Sequence, residues 1–219
     1  MDGYYDVAVI GASFAGLSVA SQLGGDVILT DRKKIGEHPT SACGTLLSVA
    51  RNCKCEESIL QVHNSIFFHI FSGTVEWKLA YPFCTVDYKK FCTSLAKNVD
   101  AEMFAGSVEG MEGNSLFVNG EKISAKFLVD CSGWRAVLAS KLRFDFVKKE
   151  ELSFGIHTTV NYEEEGLHIF VDEGGFRWIF PAGKQSRFGA GSYRAAKNTR
   201  DVLSSFLSKF GFTAGKICG

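Results

Sequence analysis

Tyr4-Tyr5-Asp6-Val7-Ala8-Val9-Ile10 runs directly into Gly11-Ala12-Ser13-Phe14-Ala15-Gly16, and the reading of this stretch decides the fold. The first seven residues are β-rich and almost continuously apolar, the pattern of a strand buried on both faces of a parallel sheet. Ala15, Val19, Ala20 and Leu23 then recur at helical spacing, and Gly24-Gly25 closes the helix. Asp26–Asp31 reads as a second strand, so the unit is strand, turn, helix, strand, with a right-handed crossover. Gly11 permits the tight turn, the small Ser13 lets a pyrophosphate approach the backbone, and Gly16 allows close helix–strand packing. Ala12 and Ala15 complete the candidate phosphate turn. The helix start presents free N–H groups and the positive end of its dipole. Ser13 stands where such turns usually carry a second glycine. About twenty residues after Gly11, Asp31 closes the second strand as the acid for a ribose hydroxyl pair, with Arg32 beside it. The register of these parts predicts a dinucleotide site; the alternative is a tight turn in another α/β fold.

The composition is compatible with this reading. At about 150 residues per domain, 219 residues make one large domain or two small ones. Lys plus Arg and Asp plus Glu each total 24, and this zero net charge argues against a nucleic-acid binder. Nineteen phenylalanines can fill a core or line an apolar pocket. No apolar run approaches the roughly 18 residues that span a bilayer, and the start lacks the pattern of a secretory signal. The expectation is a cytoplasmic protein, with peripheral contact to a membrane left open. Seven irregularly spaced cysteines make neither a disulfide framework nor a zinc site, and no metal is expected.

Beyond the first unit, Ser65–Phe71 and Thr74–Ala80 read as a hairpin around Ser72-Gly73. Asp87 caps a helix running to about Lys97, with Phe91 and Leu95 on its inner face. Residues 101–124, Val108 among them, alternate short apolar runs with glycines and suggest a meander. Lys126–Asp130 is a further buried parallel strand. From 151 the strand-like segments 152–162, 167–172, 176–181 and 187–194 suggest an antiparallel sheet, followed by a helix from Asp201 to Phe210. The expected division is a discontinuous nucleotide-binding domain, 1–64 and 82–150, and a substrate subdomain, 65–81 and 151–219.

The strand ending in Asp130-Cys131-Ser132-Gly133 resembles the motif that follows the meander in FAD-dependent oxidoreductases of the glutathione-reductase type, and this favours FAD over NAD as the cofactor. Further on, Ser41-Ala42-Cys43-Gly44 follows Asp31 by about a dozen residues. Phe176-Arg177-Trp178-Ile179-Phe180-Pro181 is followed, after seven residues, by Gly189-Ala190-Gly191. Together these resemble the geranylgeranyl reductase family, flavoproteins of the p-hydroxybenzoate-hydroxylase-like superfamily, over essentially the whole chain. The family's Tyr-x-Trp-x-Phe-Pro is matched except that Phe176 stands for Tyr, and its Val-Asp step is matched at Val86-Asp87. The usual Arg after that step is replaced by Tyr88.

The resemblance implies an FAD-binding Rossmann-like parallel sheet with a β-meander, interleaved with an antiparallel-sheet substrate subdomain. It implies an FAD site at Gly11, Ala12, Ser13, Ala15, Gly16, Asp31, Arg32, Ala42, Cys43, Gly44, Val108, Asp130, Ser132 and Gly133. A polyprenyl pocket would be shaped by Phe176, Trp178, Phe180 and Pro181, with Gly189 and Gly191 allowing close backbone approach. The implied reaction is reduction of isoprenoid C=C bonds, with another FAD-dependent hydroxylase or halogenase chemistry as the alternative. On spacing alone Trp178 and Phe180 read rather as strand core, and the Gly-x-Gly at family spacing turns the reading to the pocket; Cys43 reads equally as a small buried hydrophobe. His157 and Tyr193 are candidates for a proton source. The electron donor is not readable, since no second dinucleotide motif is present. The chain reaches Ile217-Cys218-Gly219 without a Gly-Asp-Ala-type segment, so a flavin site completed by a second chain is a further expectation.

Overall fold

The computed structural model describes residues 3–39, 42–172, 175–193 and 198–219. In chain order the first elements are β1 (Gly3–Ile10), α1 (Phe14–Ala20), β2 (Val27–Asp31), β3 (Gly44–Leu46) and α2 (Leu47–Asn52). Two long strands follow, β4 (Ile59–Ile70) and β5 (Gly73–Val86), and then α3 (Tyr88–Ala96). Next come β6 (Glu102–Ala105), β7 (Val108–Glu112), β8 (Ser115–Val118), β9 (Glu121–Asp130) and the single turn α4 (Ala139–Leu142). The last are β10 (Phe154–Val160), β11 (Leu167–Asp172), β12 (Gly175–Ala182), β13 (Gln185–Ser192) and α5 (Thr199–Ser208). The chain divides into two units, Met1–Glu37 with Lys89–Lys148, and His38–Tyr88 with Lys149–Gly219.

The first unit is built around β1. Its sheet has the order β6-β2-β1-β9-β8-β7, with β6, β2, β1 and β9 mutually parallel and β9, β8 and β7 antiparallel. Val7, Ala8, Val9 and Ile10 are all buried because both faces of β1 are covered. Ala8 and Ile10 join Ile28, Leu116, Val118, Ile123, Ala125 and Leu138 in one cluster, while alternation sends Val7 and Val9 to the other face. Burying each large aliphatic side chain contributes about 1.5–3 kcal/mol, which fixes the register. β1 pairs Ile10 with Thr30 of β2 and with Asp130 of β9, so all three strands end together.

Two details differ from the expectation. The helix α1 stops at Ala20 and Leu23 lies in the turn beyond it, where the Leu23 N–H donates to the Ala20 carbonyl. Residues 101–124 are not wholly meander: β6 joins the parallel edge beside β2, and the third meander strand continues unbroken into the parallel strand as β9.

The second unit is a seven-stranded sheet, β10-β13-β12-β11-β4-β5-β3. It is antiparallel except that β11 pairs with β4 in parallel, Leu167 opposite Ile66. The expected hairpin is longer than its apolar cores suggested, because β4 and β5 stay paired through register shifts near Ile59 and His63. Residues 38–39, 42–64 and 82–88 therefore lie with this sheet, where the sequence division placed them with the nucleotide domain. One face of the sheet is covered by α5, whose Leu203, Phe206 and Leu207 pack on Ile156, Val160, Ile179, Phe188 and Ala190. Tyr162, Phe188, Phe206, Phe210 and Phe212 interlock here with centroid separations of 5.1–6.0 Å, so these four phenylalanines serve the core. Among the described residues no helix is long and apolar enough to cross a membrane.

Candidate functional site

In the first unit the chemistry-bearing residues collect at the carboxyl ends of parallel strands, where open α/β sheets bind ligands. Gly11 leaves β1 with φ +104°, a left-handed conformation that glycine adopts freely, and a β-carbon there would meet the Cys131 carbonyl. A β-carbon on Gly16 would run into the Gly11 carbonyl oxygen, so the first turn of α1 rests directly on the strand end. Asp31 is bound into the same turn: its Oδ2 accepts the Ala12 N–H at 2.7 Å and its Oδ1 accepts the Lys33 N–H at 2.9 Å. Each carboxylate oxygen keeps lone-pair capacity beyond these bonds, so the geometry leaves acceptors for a ribose hydroxyl pair. Ser13 is the N-cap of the seven-residue α1, Ala15 is exposed on that helix, and Arg32 is exposed beyond β2.

The loop after β9 lies against this turn, with the Cys131 N–H donating to the Ile10 carbonyl at 2.8 Å. Asp130 organises the loop. Its carboxylate accepts the Ser132 N–H and hydroxyl at 3.1 and 2.5 Å and the Leu138 and Ala139 N–H groups at 2.7 and 3.0 Å. Burial opposes its ionisation, but these donors outweigh it and hold the carboxyl below its ordinary range. Its carboxylate is thus engaged within the chain, holding Ser132 and the left-handed Gly133 beside the turn. A β-carbon on Gly133 would meet nothing, so the loop is open on that side. Val108 begins β7 and packs against the apolar cluster under the sheet.

In the second unit the sheet face opposite α5 carries a cavity of about 310 Å³. Its wall is formed by Phe176, Trp178 and Phe180 from β12 and by Gly155 and His157 from β10; Ala42, Ile169 and Gly219 complete it. Three alternate residues of one strand share a face, which is why Phe176, Trp178 and Phe180 come together. Gly189 and Gly191 are the cross-strand partners of Trp178 and Phe176. Their absent side chains are the room in which those rings lie, since a β-carbon at either position would collide with the opposing aromatic ring. Pro181 alternates to the face covered by α5 and does not line the cavity.

His157 is buried, and its imidazole is held neutral, its pKa lowered to about 4 first by burial and then by the Arg187 guanidinium. At neutral pH it is not an imidazolium acid. Tyr193 is exposed, its ring 5.7 Å from that of Phe176. Cys43 has φ +57° and is buried, its carbonyl accepting the Val86 N–H at 2.9 Å. Burial pushes its thiol up, against a smaller opposing pull from Arg187, so it remains a thiol. Gly44 pairs with Thr85, and a β-carbon there would strike the Phe83 ring. Ser41 lies outside the described residues.

Sequence reasoning missed Arg187. Only 9% exposed, its guanidinium donates to the Val86 carbonyl at 2.9 Å and the Ala42 carbonyl at 3.4 Å. A lone cation inside the apolar run of β13 was the available signal. Burying a guanidinium among neutral acceptors is costly, and such charges concentrate where a site needs them.

No family model matches the chain, and no curated protein matches it. Among solved structures, the flavin-dependent brominase Bmp2 is similar with a TM-score of 0.75 at 14% identity, covering 99% of this chain and 66% of its own. The halogenase PltM, in complex with phloroglucinol and FAD, has a TM-score of 0.68 at 15% identity over 94% of this chain and 56% of its own. The myxobacterial chondrochloren halogenase CndH has a TM-score of 0.70 at 15% identity over 94% and 57%. The chain thus spans less than two thirds of the length of these neighbours, and over that span it shares their Rossmann-like fold.

Proposed function

We propose that this chain is the nucleotide- and substrate-binding part of an FAD-dependent oxidoreductase. One observation carries the reading. The Asp31 carboxylate, at the end of β2, is hydrogen-bonded to Ala12 in the glycine turn at the end of β1. The acid and the turn that a dinucleotide requires are therefore already joined.

In this reading Gly11, Ala12, Ser13 and Gly16 admit the pyrophosphate to the backbone and Asp31 takes the ribose hydroxyls. FAD, when bound, supplies the redox chemistry. The chain's own residues bind and orient. Asp130 holds Ser132 and Gly133 beside the turn. The cavity of the second unit takes the organic substrate, and its aromatic wall excludes water from it. His157, neutral on that wall, orients by hydrogen bonding and does not deliver a proton as an imidazolium.

Two chemistries fit the cavity. The three fold neighbours named above are halogenases, one of them described with phloroglucinol, and a 310 Å³ cavity is at the small end of the ligand-site range of about 300–1,000 Å³. Both facts favour a compact aromatic substrate, and the first favours halogenase-type flavin chemistry. The Phe176–Pro181 and Gly189–Gly191 motifs support the second reading, reduction of prenyl C=C bonds.

Titration of the purified chain with FAD, followed by visible absorption, tests the cofactor assignment. Stoichiometric binding is expected, and no affinity for FAD would sink the proposal. Oxygen-dependent turnover of the reduced protein with an aromatic substrate would select the first chemistry, and anaerobic saturation of a prenyl lipid the second.

A further inference from the structure

The hairpin of β4 and β5 leaves one strand edge open. β5 pairs with β4 from Gly73 to Lys78, and its other neighbour, β3, reaches only Phe83–Thr85. Among the described residues no strand lies along the outer side of β5 before Phe83. The backbone N–H and C=O groups of such an edge are a template for a further strand. Alternation puts Val75 and Trp77 on one face, and they are 49% and 62% exposed. Glu76 and Lys78 stand on the other face, where Lys78 Nζ donates to Glu76 Oε1 at 2.5 Å while both side chains stay open to solvent. A lysine commonly guards an exposed edge, but this one has its counter-charge two residues away.

The order of these residues suits a second copy of the same strand. Two copies related by a two-fold axis run antiparallel, and residues opposite each other share a face of the sheet. The axis therefore passes through a residue and not between two. An axis at Glu76 sets the two copies of that carboxylate against each other, and an axis at Lys78 does the same to the ammonium groups. An axis at Val75 puts Glu76 opposite Thr74 and Lys78 opposite the turn residue Ser72. An axis at Trp77 sets Glu76 opposite Lys78 twice, with Val75 opposite Leu79 and the two indoles side by side. The ion pair within each copy then joins its mate in a ring of four alternating charges. On the other face, the apolar row of Ile66, Phe68, Val75 and Trp77 doubles in width. The shared ladder runs from Val75 to Leu79 on each copy, because the register shift near His63 breaks the pairing of β5 with β4 beyond Lys78.

We propose that the open edge of β5 joins a second copy of this chain in an antiparallel, two-fold symmetric pair centred on Trp77. The seven-stranded sheets of the two copies then run on as one. A lipid surface would take up the apolar row but makes no use of the alternating charges, and an unrelated strand has no reason to match their order. The pairing involves no residue of the glycine turn or of the cavity wall, so it stands apart from the cofactor and substrate assignments.

Sedimentation velocity of the intact chain over a wide concentration range is the test. A reversible dimer is expected, loosening as salt rises because its charges are exposed. Glu76→Lys and Lys78→Glu each bring four like charges together and should weaken dimerisation about tenfold or more. An equimolar mixture of the two variants should restore it, since each supplies the charge that the other lacks. The double variant, in which the order of charges is reversed, should dimerise with itself. These side chains are exposed, and circular dichroism confirms that each variant is folded. Single variants that dimerise as tightly as the wild type would place the interface elsewhere. A mixture that stays monomeric would remove the register, and a monomer at every concentration would leave the edge to another chain or to a lipid surface. Each of these three results overturns the inference.

Discussion

The indole of Trp178 lies flat across Gly189, its partner on the neighbouring strand, so closely that a β-carbon at 189 would fall within the ring. Aromatic side chain and missing side chain form one packing unit. Gly189→Ala should therefore expel the indole from its seat, at a cost of about 1–3 kcal/mol from overpacking. Urea denaturation reads the cost as a lower midpoint. Gly24→Ala is the control, since a β-carbon there has nothing within 4 Å. Equal stability of the two variants would show that the seat is not required.

Gly11→Val should abolish FAD binding. The position combines φ +104° with a β-carbon path blocked by the Cys131 carbonyl, so the turn must rearrange. Fluorescence titration with FAD checks this, alongside circular dichroism to confirm folding. Retention of wild-type affinity would mean that the nucleotide turn has been misplaced.

The neutral state of His157 gives a pH dependence with a defined sign. Its folded pKa is depressed from 6.5 to about 4, so the unfolded chain takes up the proton first as pH falls. Stability is full above pH 6.5 and is lost on acidification to about pH 4, by about 3 kcal/mol at most. His63 and His69 are depressed as well, both chiefly by burial, and share the direction. The informative quantity is therefore the difference between wild type and His157→Gln. Denaturant midpoints across this interval should flatten in the variant, and parallel curves would contradict the assignment.

Asp130→Ala should destabilise the first unit by about 2 kcal/mol or more, because donors at Ser132, Leu138 and Ala139 lose their acceptor together. Asp130→Asn keeps one acceptor oxygen and should recover part of the loss. Thermal unfolding of the three proteins ranks them, and an unchanged Tm for Asp130→Ala would refute the anchoring role.

What the sequence disclosed was local. The run from Tyr4 to Gly16 and the acid at Asp31 were readable because strand, turn and helix are neighbours in the chain. The aromatic and glycine motifs of β12 and β13 were visible too, yet their meaning was not. Gly189 had the look of a backbone-approach site, and only the register showed it opposite Trp178. The cavity was less legible still. Ala42, His157 and Trp178 meet through pairings between distant strands, and no local pattern records that β11 lies parallel to β4. Arg187 was hidden for the same reason: a cation in a strand reads as an outward-facing side chain until its carbonyl acceptors are seen.

The pairing of β1 with β9 joins residues made far apart in time. Asp6 and Lys126 are 120 positions apart, yet their side chains bond at 2.6 Å, and β9 flanks β1 along most of its length. On the ribosome, the first strand must therefore wait while the intervening chain, including the whole of β4 and β5, is synthesised. Such high contact order makes folding slow and leaves an apolar edge uncovered meanwhile. The segment that opens the glycine turn is thus also the one for which a holding chaperone would matter most during synthesis.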